Sequence, residues 1–135
     1  MKTVFVDSNV FLRFLTTDDA GQHEKAAALF RRAAAGKVAL VTGPPVLFEV
    51  AWTLRGSYGL PREKILDMLS AIGAFHGLKL LDADIAAEAI ALAKRKGAHF
   101  ADAYIVAGAL AAGADEVASF NRADFERLAA KLADL

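Results

Sequence analysis

Short apolar runs alternate along this chain with longer segments of helical periodicity, and this alternation limits the folds that it can adopt. The runs are rich in β-branched and aromatic residues, which favours strands. They cover residues 4–6, 38–42, 78–81 and 117–120. Short apolar strands separated by helices are typical of a parallel sheet that helices cover on both faces. The sequence therefore predicts an α/β fold.

The helical segments are bounded by residues that commonly begin or end helices. Gly36, Gly97 and Gly113 each follow a periodic segment, and glycine is a frequent helix terminator. Pro44 and Pro61 each open a segment, in the first turn where proline is tolerated. We expect helices over residues 10–15, 23–35, 43–55, 61–73, 83–96 and 102–112, followed by a helical tail from residue 124.

Composition limits the class of protein that this chain can belong to and the kind of metal site that it can form. With 135 residues the chain is expected to form one domain, and 56% hydrophobic content supplies a core without covalent staples. The absence of cysteine excludes disulfides and thiolate metal sites. No signal peptide or apolar run of about 20 residues is visible, so we expect a soluble, cytoplasmic protein without a membrane span. A formal net charge of zero leaves no global basic field to attract nucleic acid.

Four acidic residues interrupt or border apolar chain. Asp7 closes the first apolar run, and Glu49 has apolar neighbours on both sides, with no lysine or arginine within one turn. Asp102 opens an apolar stretch, and Asp124 follows the last apolar run. A carboxylate that loses hydration needs a neutralising partner. Because sites in parallel sheets form beyond the carboxyl ends of the strands, these acids are expected to meet there around a divalent metal ion.

Each acid also has a purely structural interpretation. Asp7 and Asp102 could cap helices, Ser8 or Asn9 could cap the first helix, and Asn121 to Asp124 has the spacing of a capping box. Glu49 is harder to explain this way, because a lone buried glutamate requires protonation or a partner. Clustered carboxylates repel one another unless a cation offsets their charge. An all-oxygen cluster suits Mg²⁺ or Mn²⁺.

Four segments of the chain resemble, in order, the motifs of PIN-domain proteins. They are residues 4–12 (VFVDSNVFL), 49–54 (EVAWTL), 100–107 (FADAYIVA) and 119–125 (SFNRADF). The resemblance covers nearly the whole chain, and within the family it is greatest to the VapC ribonuclease toxins of toxin–antitoxin pairs. It implies a single PIN-like domain over residues 1–135, with a parallel sheet of four or five strands flanked by helices on both faces. The implied activity is that of a Mg²⁺- or Mn²⁺-dependent ribonuclease.

The resemblance also implies roles for individual residues. Asp7, Glu49, Asp102 and Asp124 would be the catalytic, metal-binding acids, and Asn9, Ser119 and Asn121 would support them. Two features depart from the family pattern. Many relatives carry aspartate where this chain has Asn121, so the fourth acidic role falls to Asp124 alone. Relatives often end in a short fifth strand, whereas residues 126–135 have a helical pattern here.

Partners follow from the same resemblance. The substrate would be RNA, with Arg122, Arg13 and Arg55 as candidates for phosphate contacts. Such proteins are usually homodimers that a cognate VapB-like antitoxin holds inactive. Five apolar residues could line a groove for an antitoxin helix, although core packing is the favoured interpretation for most of them. They are Phe11, Phe14, Leu15, Trp52 and Leu54.

Other classes fit the acids less well. A haloacid dehalogenase-type phosphatase needs a second aspartate two residues after the first, where this chain has Asn9. A receiver domain needs paired acids near the first strand and a suitably placed late lysine, and neither is present. A catalytically silent PIN scaffold that only binds RNA or protein remains the alternative. Metal-dependent cleavage would separate the nuclease from the scaffold.

Overall fold

The first three predicted strands form a parallel sheet in the computed structural model, which describes all 135 residues. Contacts divide the chain into two compact units, Met1–Asp82 and Ala83–Leu135. The first unit contains the sheet and four helices. Its elements are β1 (Thr3–Phe5), α1 (Ser8–Leu15), α2 (Ala20–Ala34), β2 (Ala39–Thr42), α3 (Pro44–Gly56), α4 (Arg62–Ala74) and β3 (Leu78–Leu80).

The sheet has the strand order β1-β2-β3, with Leu40 of β2 opposite Val4 on one side and Leu78 on the other. Hydrogen bonds outside the regular strand pairing hold the carboxyl edge of the sheet together. The Val6 amide donates to the Val41 carbonyl at 2.8 Å, and the buried Thr42 hydroxyl donates to the Val6 carbonyl at 3.0 Å. These bonds fix the point at which the chain leaves β1 and enters the first acidic motif.

Helices flank this sheet, and their apolar faces supply the core of the first unit. α1 packs against both α2 and α3, and α4 contacts α3 and β3. Leu47, Val50 and Leu54 of α3 are fully buried, as are Leu66 and Leu69 of α4. Their spacing of three, four or seven residues places each set on one side of its helix.

One glycine explains how α2 and β3 approach each other. Gly77 has a positive φ of 95°, and a Cβ there would lie 2.5 Å from the Ala33 carbonyl oxygen. The Gly77 carbonyl also accepts the Leu40 amide at 3.0 Å, immediately before β3 begins. No larger residue fits without moving α2 or the sheet, since the contact is with backbone.

The second unit is helical. It contains α5 (Ala83–Lys96), α6 (Phe100–Ala111) and a short α7 (Arg122–Arg127). α5 packs against α6 through alanines, and Ala86, Ala89, Ala93 and Ala103 are all 1% exposed or less. Small side chains at a contact let helix axes come close together. α7 packs against α6.

The expected fourth strand over residues 117–120 does not form, so the sheet has three strands rather than four or five. Val117 makes a single parallel bridge with Leu132, in which the Val117 amide donates to the Lys131 carbonyl at 2.8 Å. The run turns away at Ser119, whose hydroxyl oxygen accepts the Asn121 amide at 3.0 Å. A strand requires partner backbone along its length, and only one residue on each side pairs here.

The expected helical tail is also shorter than its pattern suggested. α7 ends at Arg127, and Ala129 has a positive φ of 58° that interrupts helical geometry. The Ala133 amide then donates to the Val117 carbonyl at 2.9 Å. The pairing with Val117 therefore takes the backbone groups that a longer helix would need.

Candidate active site

Asp7 lies just beyond β1, at the N-cap position of α1. Its backbone is extended, with φ −82° and ψ 164°, and its side chain accepts no capping bond. The carboxylate is exposed, and its one contact is a long bond of 3.5 Å from the Ser8 hydroxyl. Of the three residues that the sequence offered as caps, Asp7 is at the N-cap, while Ser8 and Asn9 lie inside the helix. Asp7 holds the cap position while its carboxylate stays available to a ligand.

Asn9 lies in the first turn of α1 and is exposed. It borders a groove of about 230 Å³ between α1 and α2, together with Arg13 and Lys25. Its side chain makes no hydrogen bond to an acid. The supporting role that the resemblance implies for Asn9 therefore stays a prediction.

Glu49 is exposed on the outer side of α3, and its expected burial is wrong. α3 buries Val46, Leu47, Val50 and Leu54, which leaves Glu49 and Trp52 on the opposite side. The sequence interpretation treated all apolar neighbours of Glu49 as one environment. Helical geometry separates them, because the buried residues form one stripe along α3 and Glu49 lies outside that stripe. Glu49 makes no hydrogen bond or ion pair.

Asp102 occupies the third position of α6 and is half-buried. The helix begins two residues earlier than expected, with His99 at the N-cap, so the capping interpretation of Asp102 is wrong. An acid in the first turn is favoured by the positive end of the helix dipole. Asp102 has no hydrogen-bond or ion-pair partner, so its carboxylate remains open to a cation.

Asp124 also occupies the third position of its helix, α7, and is half-buried. The Asn121 side-chain amide donates to Asp124 Oδ2 at 2.6 Å. Asn121 is the N-cap residue, but its side chain accepts no backbone bond, so the pair is not a capping box. Asn121 instead orients Asp124. Ser119 contacts the Asn121 backbone rather than an acid.

The four acids divide between the two units as two pairs. Asp7 directly precedes α1 and Glu49 lies on α3, and these two helices pack together. Asp102 and Asp124 lie on α6 and α7, which also pack together. Neither unit alone assembles three or more acidic or histidine side chains that could hold a metal ion. None of the four carboxylates has a lysine or arginine partner in either unit, since Asp124 is bonded to the neutral amide of Asn121.

In a comparison with protein families, residues 4–131 match the PIN domain. This chain belongs to the PIN domain family. PIN domains are generally nucleases, and they usually use divalent metals. Comparison with curated proteins gives no match. The four motifs that resembled the family all lie inside the matched range.

None of the helices in this PIN domain has both the length and the apolar character that crossing a membrane requires.

The donor chemistry of this PIN domain suits a hard divalent cation. All four candidate ligands are carboxylates, the oxygen donors that Mg²⁺ and Mn²⁺ prefer. Asp7, Glu49 and Asp102 are also free of ion pairs with lysine or arginine, so a cation would not have to displace one. The residues fit such an ion in chemistry, while the assembly of three ligands is not present in either unit.

The three candidate RNA-binding arginines differ in exposure and in the number of side-chain bonds that they already make. Arg55 is exposed in the last turn of α3 and makes no hydrogen bond or ion pair. Arg122 is exposed at the start of α7, with a loose ion pair of 3.9 Å to Glu126. Arg13 is half-buried and already bonded to several side chains. Arg55 and Arg122 are therefore the more available to a phosphate.

Arg13 is part of a polar cluster that sequence spacing did not reveal. Its guanidinium donates to Gln22 Oε1 at 2.8 Å, to Asp18 Oδ1 at 3.3 Å and to the Tyr58 hydroxyl at 3.4 Å. Hydrogen bonds from Tyr58 and Thr16 lower the pKa of Asp18, and the charge of Arg13 adds to this effect. Tyr58 lies 45 residues from Arg13, and no local pattern links them. The cluster joins α1 to the turn between α3 and α4.

Proposed function

We propose that this PIN domain is a metal-dependent endoribonuclease and the VapC-like toxin of a type II toxin–antitoxin pair. The observation that carries the proposal is the state of the motif acids. Asp7, Glu49 and Asp102 lie at the family's motif positions and have no cation to neutralise them. Unpaired carboxylates at such positions are available to coordinate a divalent cation.

The proposed reaction is hydrolysis of an RNA phosphodiester bond. Asp7, Glu49, Asp102 and Asp124 would hold Mg²⁺ or Mn²⁺. When bound, such an ion lowers the pKa of an attacking water and stabilises charge on the leaving oxygen. Asn121 keeps Asp124 in one orientation by donating to Oδ2, which leaves Oδ1 free.

The arginines complete the proposed substrate site. Arg55 and Arg122 are long, exposed cations, and guanidinium groups bind phosphate oxygens in bidentate fashion. Phosphate contacts position the RNA without reading its sequence. The proposed partners are an RNA substrate, a VapB-like antitoxin and a second copy of the chain as a homodimer.

Cleavage of RNA by purified protein tests the nuclease proposal. Protein is incubated with a mixed pool of structured RNA in Mg²⁺, in Mn²⁺ and in EDTA, beside Asp7→Asn and Asp102→Asn. We expect discrete cuts that need metal and disappear in both variants, whose melting temperatures should equal or exceed the wild-type value because like-charge repulsion is relieved.

Asp84→Asn is the matched control for this experiment. Asp84 is an exposed acid in the first turn of α5, so its substitution removes the same charge from a similar helix position outside the four motifs. It should cleave like the wild type. Full activity of Asp7→Asn would contradict the assignment of Asp7 to a metal site. If the wild-type protein neither binds metal nor cleaves RNA, the silent scaffold is favoured.

A further inference from the structure

Trp52 is 74% exposed on the outer side of α3. An exposed tryptophan is unusual, because the indole ring normally contributes a large buried area. Trp52 makes no aromatic or hydrogen-bonding contact with the rest of the chain. Core packing, one of the two expectations for this residue, is therefore wrong for Trp52 but right for Leu54, which is fully buried.

The neighbours of Trp52 on that side of α3 are charged. Glu49 lies one turn before it and Arg55 one turn after it, at the three-residue spacing that makes helix side chains adjacent. Both are exposed and without partners. The unpaired Arg55 guanidinium beside an exposed indole ring suits a ligand that carries both an anion and a flat aromatic face.

Exposed aromatic side chains recur beside the proposed site acids. Three are exposed in the whole chain: Phe5, Trp52 and Phe120, at 59%, 74% and 91%. Each lies within four residues of a proposed site acid, respectively Asp7, Glu49 and Asp124. The remaining phenylalanines are buried or half-buried. Trp52 has the largest ring of the three and the only neighbouring arginine that is free of an ion pair.

We propose that Trp52 is a substrate-positioning residue on which an unpaired RNA base stacks, while Arg55 binds an adjacent phosphate. This inference rests on the proposed nuclease function and adds that the substrate is single-stranded where α3 contacts it. Base stacking is tolerant of sequence, because every base has a flat π face. Paired bases are already stacked within a helix and cannot lie on the indole ring.

Fluorescence tests this directly, because Trp52 is the only tryptophan of the chain. Uncleaving Asp7→Asn protein is titrated with short oligoadenylate, with short oligouridylate and with the duplex that they form together. We expect the single strands to quench the emission and to shield Trp52 from iodide, and the duplex to do neither. Equal quenching by the duplex would overturn the proposal.

Variants of Trp52 separate stacking from simple apolar contact. Binding of a labelled oligoadenylate to each variant, in the Asp7→Asn background, is followed by anisotropy. Trp52→Ala should raise Kd by about 5- to 150-fold, the equivalent of about 1–3 kcal/mol per stacked base. Trp52→Phe should recover most of the affinity and Trp52→Leu little of it. Equal recovery by leucine would overturn stacking.

Leu110→Ala is the matched control. Leu110 is 68% exposed near the end of α6, eight residues after Asp102, so its truncation removes exposed apolar surface about 12 Å along the helix from a site acid. Its Kd should not change.

A Trp52 emission that shifts with protein concentration alone would instead assign this face to a second copy of the chain and overturn the proposal.

The outcomes distinguish this inference from the proposed function. Metal-dependent cleavage without quenching of Trp52 would overturn the stacking role and leave the nuclease intact. Quenching without cleavage by the wild type would support stacking and overturn the nuclease in favour of an RNA-binding scaffold. The absence of both cleavage and quenching would overturn both the nuclease function and the stacking role.

Discussion

At the scale of single residues, the four acids are not equivalent. Asp124 alone has a strong hydrogen-bond donor, Asn121, at 2.6 Å, whereas Asp7 has only a 3.5 Å contact with Ser8. A carboxylate held in one orientation presents its oxygens to a metal ion in a defined geometry. One oxygen of Asp124, however, already accepts a hydrogen bond from Asn121. Asn121 therefore gives Asp124 its orientation.

We predict that Asp124→Asn reduces RNA cleavage less than Asp7→Asn does. Asn121→Ala should also reduce cleavage, because it removes the bond that orients Asp124, with losses of about 10- to 100-fold typical of such supporting contacts. Single-turnover cleavage rates at saturating Mg²⁺ provide the comparison. Equal and complete loss in Asp124→Asn and Asp7→Asn would show that Asp124 is a full member of the site.

At the scale of secondary-structure elements, one close contact sets the approach of α2 to β3. We predict that Gly77→Ala lowers the free energy of unfolding by more than about 1 kcal/mol, because Ala33 and a positive φ both oppose a side chain. Gly108→Ala is the control, since Gly108 lies within α6 with no atom within 4 Å of the added Cβ. It should stabilise by about 0.5–1 kcal/mol. Urea unfolding measures both, and an unchanged Gly77→Ala would contradict the close approach.

A second link between elements is the bond from Tyr58, after α3, to Asp18, before α2, at 2.7 Å. The pKa of Asp18 is lowered chiefly by this bond and then by the Thr16 hydroxyl. A lowered folded-state pKa contributes stability that is present above the pKa of the unfolded chain and lost as pH falls through the folded pKa. Because Asp18 is exposed, this contribution is small.

We predict that Tyr58→Phe raises the pKa of Asp18 towards its ordinary value. The variant should be less stable than wild type at neutral pH, and the difference should vanish as pH falls below the folded pKa of Asp18. NMR titration of the Asp18 carboxyl carbon in the wild type and in the variant measures the shift. An unchanged Asp18 titration in Tyr58→Phe would rule out this bond as the cause.

At the scale of the whole molecule, the family match crosses both compact units, from residue 4 to residue 131. The proposed toxin role therefore needs the entire chain rather than either unit. We predict that expression of the wild type arrests bacterial growth and that co-expression of the neighbouring open reading frame restores it. Asp7→Asn should permit growth and Asp84→Asn should still arrest it. Normal growth with the wild type would count against the toxin.

Much of the element order follows from local sequence alone. α5 covers the expected residues 83–96, and three of the four expected strands form within one or two residues of their predicted bounds. Helices satisfy their own backbone bonds within a few residues, so periodicity and glycine or proline at the ends are sufficient to locate them. The motif order that marks a PIN domain is likewise a property of the sequence, and the family match supports it.

Only the tertiary structure decided which residues lack partners and which have them. Val117 fails to extend a strand because its partner, Leu132, pairs at a single residue. Glu49 is exposed because α3 packs by its opposite side, and Arg13 is held by Tyr58 from 45 residues away. Strand pairing, burial and ion pairs depend on chain segments that are distant in sequence. The local sequence pattern therefore identified the acids of this PIN domain, while long-range packing determined the environment of each one.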